Sequence, residues 1–356
     1  MGDIMGDFID FADITNQINR REMNRIYEFN LMLVGMTGVG KSTLVKSLFQ
    51  GLIKPEDSAQ TAKLNEYTEL LEENGVKLNL HCIETSNYDN HHSGDYVSYI
   101  DEQLKSYFKA QRRHSSWNIK DSRVHCCLYL IPPYGKMKLR QDDLDCMKAL
   151  HEKVNLIPII AKADTFNQEQ LDTFKENIMT DLQLNDIKYF KFQHDDKEDE
   201  ERFKAVKVEA ERFPFAVVAA DEPVLANKRV HWIRSTISGQ IDIMDNKKCD
   251  FDALAKLLIR HCMLDLIDST HVKHYAKFKS ELLETARAQN GKNLKAMGLE
   301  PHEIRRIEFD TNPELNTRTA RTLTDAQRVA MERELQTLRM KLKALKTHVR
   351  NPQFVS

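Results

Sequence analysis

The stretch that decides the fold reads Gly35-Met36-Thr37-Gly38-Val39-Gly40-Lys41-Ser42-Thr43. It fits the pattern GxxxxGK[ST], follows the apolar run 29–34, and precedes a predicted helix over 42–50. This strand–loop–helix order is typical of a phosphate-binding loop, in which glycines let backbone N–H groups converge on a phosphate. Lys41 supplies positive charge, and the Ser42 hydroxyl can bind Mg²⁺. The stretch therefore predicts a nucleoside-phosphate site.

Short apolar runs alternate with longer amphipathic stretches on either side of this loop. The runs predict strands at 29–34, 76–83, 124–131, 156–161 and 215–219. Helices are predicted at 42–50, 96–112, 142–153, 168–181 and 251–268. The acidic stretch 195–201 is interpreted as a solvated loop. The alternation predicts an α/β fold of the Ras-like P-loop type, with a doubly wound, mostly parallel sheet and helices on both faces.

Composition excludes several classes of protein. The 356 residues include 52 Lys and Arg against 54 Asp and Glu, a net charge of −2, so no global positive field favours nucleic acid. No apolar run is long enough for a membrane-spanning helix, and the acidic N-terminus does not resemble a signal peptide. The six cysteines suggest neither a disulfide framework nor CxxC metal spacing. We expect a cytosolic protein that does not bind nucleic acid.

A second motif, Ala161-Lys162-Ala163-Asp164, ends the fourth apolar run and varies the NKxD guanine motif. The ligand edge of such a sheet is formed by the carboxyl ends of its strands. A carboxylate at Asp164 can accept both the ring N–H and the exocyclic amine of guanine, a donor pair that adenine lacks. The stem of Lys162 can pack over the base. The two motifs together predict binding of GTP or GDP.

The motif expected between them, Asp-x-x-Gly, is replaced by Glu84-Thr85-Ser86-Asn87. The aspartate normally positions Mg²⁺ through water, and the glycine donates its backbone N–H to the γ-phosphate. Glutamate is one methylene longer, and Asn87 adds a side chain. We therefore expect weakened Mg²⁺ contact and very slow or absent hydrolysis. Thr61 is a candidate for the threonine that senses the γ-phosphate, the alternative being an ordinary surface threonine.

At this point the chain resembles the septin family over roughly residues 11–280. Both nucleotide motifs match the septin versions. A more specific match is the segment from Gly239 to Tyr275, which looks like the septin unique element through Gly239-Gln240-Ile241-Asp242-Ile243, Cys249-Asp250-Phe251, Leu257-Leu258-Ile259 and His274-Tyr275. Shorter matches are Tyr99-Ile100-Asp101-Glu102-Gln103 and Arg123-Val124-His125-Cys126-Cys127.

The resemblance implies a guanine-nucleotide-bearing subunit of hetero-oligomers and cytoskeletal filaments, located in the cytoplasm at the cell cortex or division site. It implies interfaces at the nucleotide face and at the termini. His151 is similar to the septin histidine that reaches a neighbour's nucleotide, and Arg234 to the arginine over guanine. Ala219 stands where septins usually have glycine near the base, and Ser238 where they usually have tryptophan.

The predicted organisation is an N-terminal segment 1–28, a septin-type nucleotide domain 29–283 with its unique element at 238–280, a polar linker 284–322 and a coiled-coil helix 323–350. The helix carries an apolar seam spaced by three and four residues, at Met331, Leu335, Leu338, Leu342, Leu345 and Val349. Two alternatives stay open for it: packing on its own domain, and lying on a membrane through its basic face. A coiled-coil partner follows from the first interpretation.

Membrane contact elsewhere is expected to be weak, because Arg20, Arg21 and Arg25 form a thin basic cluster beside Glu22.

Two functions remain in competition. One is a structural filament subunit whose nucleotide belongs mainly to an interface. The other is a slow GTPase that regulates assembly, using Lys41, Ser42, Mg²⁺ and Thr61. The altered 84–87 segment disfavours a third function, a monomeric signalling switch.

Overall fold

The computed structural model describes residues 25–49, 51–52, 59–60, 64–73, 75–85, 93–113, 119–192, 200–220, 223–226, 229–236, 239–245 and 249–288. The described residues belong to two compact units, one ending at Tyr275 and the other beginning at Ala276. Several predictions lie outside them: Thr61, Ser86, Asn87, Ser238, nearly all of 1–28, the linker from 289 onward and the helix at 323–350.

Ten strands are described. They are β1 (Ile26–Gly35), β2 (Ala59–Gln60), β3 (Leu64–Glu73), β4 (Val76–Thr85), β5 (Cys126–Ile131), β6 (Leu156–Ala161), β7 (Phe215–Val217), β8 (Pro223–Ala226), β9 (Arg229–Thr236) and β10 (Gly239–Asp242). Seven of these form one sheet in the order β2-β3-β4-β1-β5-β6-β7, and β8–β10 form a smaller antiparallel sheet. From β4 to β7 every neighbouring pair is parallel. The mostly parallel α/β sheet predicted from the apolar runs is confirmed.

The described α-helices are α1 (Lys41–Leu48), α2 (Ser93–Arg113), α3 (Gln141–Leu150), α4 (Gln168–Leu184), α5 (Glu200–Ala210), α6 (Phe251–Ala255), α7 (Met263–Ser269) and α8 (Ala276–Ala288). Two π-helical segments, Lys256–His261 and Thr270–Tyr275, follow α6 and α7. None of the described helices combines the length and apolar character needed to cross a bilayer.

The central strands are apolar throughout because both of their faces are covered. All six residues of β5 and all six of β6 are buried. Burial of each large apolar side chain contributes roughly 1.5–3 kcal/mol to the free energy of unfolding, so these strands supply much of the stabilising apolar core. The carboxyl ends of these parallel strands therefore lie at one edge of the sheet, and the loop after β1 and the turn after β6 begin at that edge.

The sequence analysis missed β3, which pairs antiparallel with β4 over its whole length. Only Leu64 and Tyr67 are buried in this strand, and most of its other residues are charged or polar. It is flanked on its outer side by β2, which has two residues, so it is close to an edge strand with one solvated face. Such a strand lacks the continuous apolar pattern that identified its neighbours.

Helix boundaries also differ from the predictions. Glu200 and Glu201 open helix α5, so the acidic stretch 195–201 is not wholly a loop, and acidic residues suit the first turn of a helix. The single helix predicted at 251–268 is interrupted: the Cys262 N–H bonds to the Leu257 carbonyl, five residues earlier, at 2.8 Å. Helix α8 continues to Ala288, so the first five residues of the predicted linker are helical.

A buried ionic cluster fixes the amino end of β5. The Arg123 guanidinium donates through Nε to Asp121 at 2.8 Å and lies 4.0 Å from the centre of the Tyr107 ring. The Nε2 atom of the buried His125 lies 3.1 Å from Asp121, and the Tyr275 ring lies 5.3 Å from the guanidinium. The cluster therefore joins the approach to β5, helix α2 and the end of the second π-helical segment.

Candidate nucleotide site

The phosphate-binding loop connects β1 to α1, and its backbone requires glycine at two positions. A Cβ atom on Gly35 would lie 2.8 Å from the Leu130 carbonyl oxygen on β5, so only glycine allows these strands to approach here. Gly40 caps α1 with φ at 103°, a left-handed conformation that glycine adopts without strain. The predicted phosphate-binding residues thus run from the end of β1 through a turn into the first residues of α1; they are Gly35, Met36, Thr37, Gly38, Val39, Gly40, Lys41, Ser42 and Thr43.

Lys41 is buried within this loop, with only 4% of the residue exposed. Its Nζ donates to the carbonyl oxygens of Gly35 at 2.9 Å and Met36 at 3.0 Å. Burial lowers the pKa of the ammonium, and the negative charge of Glu84 partly opposes that change. The loop therefore holds a desolvated cation beside the positive end of the α1 dipole, which suits an anion.

Ser42 and Glu84 meet although they lie 42 positions apart in the chain. The Ser42 hydroxyl is 2.7 Å from Glu84 Oε1 and 2.9 Å from Oε2, and the Tyr67 hydroxyl is 3.4 Å from Oε2. Burial raises the pKa of Tyr67, and Cys82 and Glu84 add to the increase, so the phenol stays protonated. The residue predicted to bind Mg²⁺ thus lies directly against the glutamate that replaces the usual aspartate.

The motif predicted to read the base, 161–164, begins at the last residue of β6. Lys162 has φ at 52° and ψ at 46° and begins a short 3₁₀ turn, Ala163–Thr165, which turns Asp164 inward. The Asp164 side chain is 8% exposed, and its Oδ2 accepts a bond of 3.0 Å from Arg234 Nε on β9. The other oxygen, Oδ1, is buried and has no hydrogen-bond partner among the described residues. A buried acceptor without a partner is costly, so this carboxylate is suited to a ligand that offers N–H groups.

A cavity of about 200 Å³ joins the two motifs. It is lined by Gly38, Val39, Gly40, Thr43, Leu44, Leu130, Ala161, Lys162, Val217, Ala219 and Arg234. Sequence reasoning had identified most of these residues but not Leu44, Leu130 or Val217. Those three were predicted in apolar strands or a helix, where nothing distinguishes a cavity wall from ordinary core.

Comparisons with known proteins agree with this geometry. A family model described as Septin matches residues 25–292. The chain belongs to the septin family. Human Septin-4 is 35% identical over 301 residues, which cover 78% of this chain and 61% of that protein. Human Septin-5 is also 35% identical over 301 residues, covering 79% of this chain and 80% of that protein.

The chain spans about six tenths of the length of the Septin-4 relatives. Among solved structures, a septin GTPase domain from Chlamydomonas reinhardtii superposes with a TM-score of 0.56 at 20% identity. That match covers 71% of this chain and 98% of the other, and it supports the fold.

Ala219 and its neighbour are held from α1 in this septin. The Ser47 hydroxyl donates to the Ala220 carbonyl at 2.8 Å, and the Ala220 N–H donates back to it at 3.1 Å. Arg234 Nη1 lies 3.5 Å from the Ala219 carbonyl. The sequence analysis missed Ser47, because a serine inside a predicted helix gives no sign that it fixes a distant loop.

His151 is not part of the cavity lining in this septin. It caps the C-terminus of α3, and its Nδ1 accepts a bond of 3.3 Å from the Lys188 N–H. The interface role that the resemblance implies for His151 therefore stays a prediction.

No protein-only metal site is found in the described part of this septin. Across the described ranges, no three or more His, Cys, Asp or Glu side chains gather so that they could hold a metal ion. His271 Nδ1 lies 2.9 Å from Arg123 Nη1, and His274 Nδ1 lies 3.0 Å from the Glu152 carbonyl oxygen. These two histidines therefore belong to packing networks. A cation at Ser42 and Glu84 would need phosphate oxygens to complete its shell, which is the usual manner of Mg²⁺ binding.

Proposed function

We propose that this septin is a guanine-nucleotide-binding subunit that assembles with other septins into hetero-oligomers and filaments of the cytoskeleton. The observation that carries the guanine assignment is the Asp164 carboxylate: Arg234 holds one oxygen, and the other is buried without a partner among the described residues. Guanine presents two adjacent N–H donors to such an oxygen pair, and adenine does not. The fit of the site to GTP or GDP thus depends on a single oriented carboxylate.

The remaining residues supply the phosphate side of the same site. Residues 35–43 would surround the phosphates, with Lys41 as the cation and Ser42 as the Mg²⁺ ligand. Lys162, Ala163, Ala219 and Arg234 would surround the base. Bound nucleotide would be a structural part of the interface at this face. His151, which is partly exposed at the end of α3, would belong to the same interface.

The alternative, a slow GTPase whose hydrolysis regulates assembly, uses the same nucleotide and Thr61. The structural role is favoured because Glu84 stands where Asp-x-x-Gly begins and Asn87 where it ends. Hydrolysis depends on the position of Mg²⁺ and on backbone contact with the γ-phosphate. The residues at positions 84 and 87 would alter both of these.

Nucleotide turnover distinguishes the two functions. We expect protein purified with its partners to retain GTP and, in a single-turnover assay with Mg²⁺, to hydrolyse it well below about 10⁻⁴ per second, the order of an unassisted GTPase. The double substitution Glu84→Asp with Asn87→Gly is the matched control and should raise the rate. GDP in the purified protein together with phosphate release within minutes would establish the enzymatic alternative instead.

The proposed location is the cytoplasm, within the cytoskeleton at the cell cortex or division site. Contact with anionic membranes is proposed to be weak, since Arg20, Arg21 and Arg25 are few and stand beside Glu22. No binding to nucleic acid is proposed, because the net charge is −2.

The C-terminal segment 323–350 is proposed as a coiled coil that pairs with a partner septin. Deleting 323–356 should raise the apparent dissociation constant for assembly by on the order of tenfold or more, because a tethered second contact acts through effective concentration. Nucleotide binding should be unchanged. Sedimentation with and without a partner septin measures the first quantity, and fluorescent GDP titration the second.

Two matched variants separate a coil from a membrane helix. Leu338→Ala with Leu342→Ala removes part of the apolar seam, whereas Lys341→Ala with Lys343→Ala removes basic residues outside it. We expect the leucine variant to weaken assembly and the lysine variant to leave it intact. Loss of vesicle binding in the lysine variant, with assembly unaltered in the leucine variant, would assign the helix to the membrane.

A further inference from the structure

Glu84 is a buried carboxylate near the end of β4. Only 7% of the residue is exposed. Its hydrogen bonds come from Ser42 and Tyr67, and among the described residues no lysine, arginine or histidine forms an ion pair with it. The Lys41 ammonium interacts with it only at longer range, since its Nζ is bonded to the loop carbonyls. Burying a carboxylate without a cation is unfavourable, so this position is suited to receive one.

The spacing of Glu84 and Ser42 fits a shared metal ion. Mg²⁺ binds oxygen ligands octahedrally at about 2.0–2.1 Å, so two adjacent ligands lie about 2.9 Å apart. The Ser42 hydroxyl lies 2.7 and 2.9 Å from the two Glu84 oxygens. A glutamate side chain extends further than aspartate by one C–C bond, about 1.5 Å, which covers most of the roughly 2 Å by which a direct ligand lies closer to the metal than one that acts through water.

The backbone keeps Glu84 at this distance. It pairs with Leu33 on the parallel strand β1 and with Asn65 on the antiparallel strand β3. A residue held between two neighbouring strands cannot withdraw by the length of a methylene without disturbing both ladders. The Tyr67 hydroxyl, which can donate to Oε2, further orients the carboxylate.

From this geometry we propose that Glu84 is a direct ligand of the divalent cation that accompanies the nucleotide, beside Ser42, in place of the water through which an aspartate acts. The inference rests on the proposed guanine-nucleotide function. The cation then binds through Ser42, Glu84 and phosphate oxygens, with one coordinated water fewer than in a protein with aspartate. The departure from Asp-x-x-Gly thus changes the coordination of the metal and does not abolish its binding.

Mn²⁺ is the probe that tests direct ligation by Glu84. Its electron spin-echo signal, recorded in D₂O, gives the number of water molecules bound to the ion. The full chain is loaded with GDP and Mn²⁺, and Glu84→Asp is the matched variant. We expect one water fewer on Mn²⁺ in the original chain than in Glu84→Asp. We also expect Glu84→Gln, which keeps the shape and removes the charge, to weaken Mn²⁺ binding by at least the order of 10–100-fold that loss of an outer-shell partner costs. Tyr67→Phe should weaken it less.

Equal numbers of waters in the original chain and in Glu84→Asp would overturn direct ligation while leaving the proposed function in place. GDP binding without any bound Mn²⁺ would overturn it too. Failure of the original chain to bind GDP at all would instead remove the proposed function, and the inference with it. Circular dichroism and melting temperature of each variant identify any change that comes from misfolding, and Glu84→Gln provides the second, isosteric variant in that case.

Discussion

Asp164→Asn is expected to weaken binding of GDP and GTP by about 100-fold or more. The asparagine amide presents an N–H donor where one carboxylate oxygen presented an acceptor, so one guanine donor loses its partner and faces another donor in a desolvated site. A lost charged acceptor of this kind costs on the order of a few kcal/mol, and each 1.4 kcal/mol is about tenfold in affinity. Xanthine nucleotides, which carry a carbonyl where guanine carries its amine, should bind relatively better to the variant.

Titration with fluorescent GDP and with xanthosine diphosphate measures both effects. Asp172→Asn, on the exposed side of α4, is the matched control and should bind as the original chain does. Arg234→Ala removes the 3.0 Å bond to Oδ2 and the guanidinium proposed to lie beside the base, and it leaves the carboxylate in place. A GDP affinity that survives Asp164→Asn within about threefold would show that the base is not read here.

Arg123→Met is expected to lower the free energy of unfolding by about 3–5 kcal/mol, the range for removal of one partner from a buried ion pair. Arg123 is 3% exposed, and its loss leaves the Asp121 carboxylate, whose side chain is 15% exposed, with only His125 beside it. The ring contacts of the guanidinium with Tyr107 and Tyr275 are lost as well. Urea unfolding, followed by circular dichroism, measures the change.

The double variant Asp121→Asn with Arg123→Met is the control, because it removes the charge that the single variant leaves unpaired. It should recover part of the lost stability. An equally unstable double variant would mean that packing, and not the uncompensated carboxylate, accounts for the effect.

The same pair predicts a dependence on pH. Burial alone would raise the pKa of Asp121, but hydrogen bonds and positive charge from Arg123 and His125 outweigh it and hold the pKa well below its usual value. A lowered pKa contributes stability that is fully present above the unfolded value, about 3.9, and is lost as the pH falls through the folded value. The stability difference between the original chain and Arg123→Met should therefore shrink in acid.

Features that depend on short-range pattern could be predicted from the amino-acid sequence. The phosphate-binding loop is recognisable because its glycines, Lys41 and Ser42 must follow one another without interruption. Strands β5 and β6 are recognisable because burial on both faces leaves no polar positions. The Asp164 motif is recognisable because it ends such a strand. Each of these follows from the local backbone and from hydrophobic burial, which leave a continuous trace in the chain.

The tertiary structure decided which distant residues complete the site. Strand β3 carries charged residues on its solvated face, so its hydrophobic pattern is too weak to identify, yet it brings Tyr67 to Glu84. Arg234 meets Asp164 across 70 positions of sequence, and Ser42 meets Glu84 across 42. The extra methylene of Glu84 affects its proposed distance from the metal only because β1 and β3 fix its backbone from both sides. Contacts of this kind depend on strand order and register, which are set by packing of the whole sheet and by no single stretch of sequence.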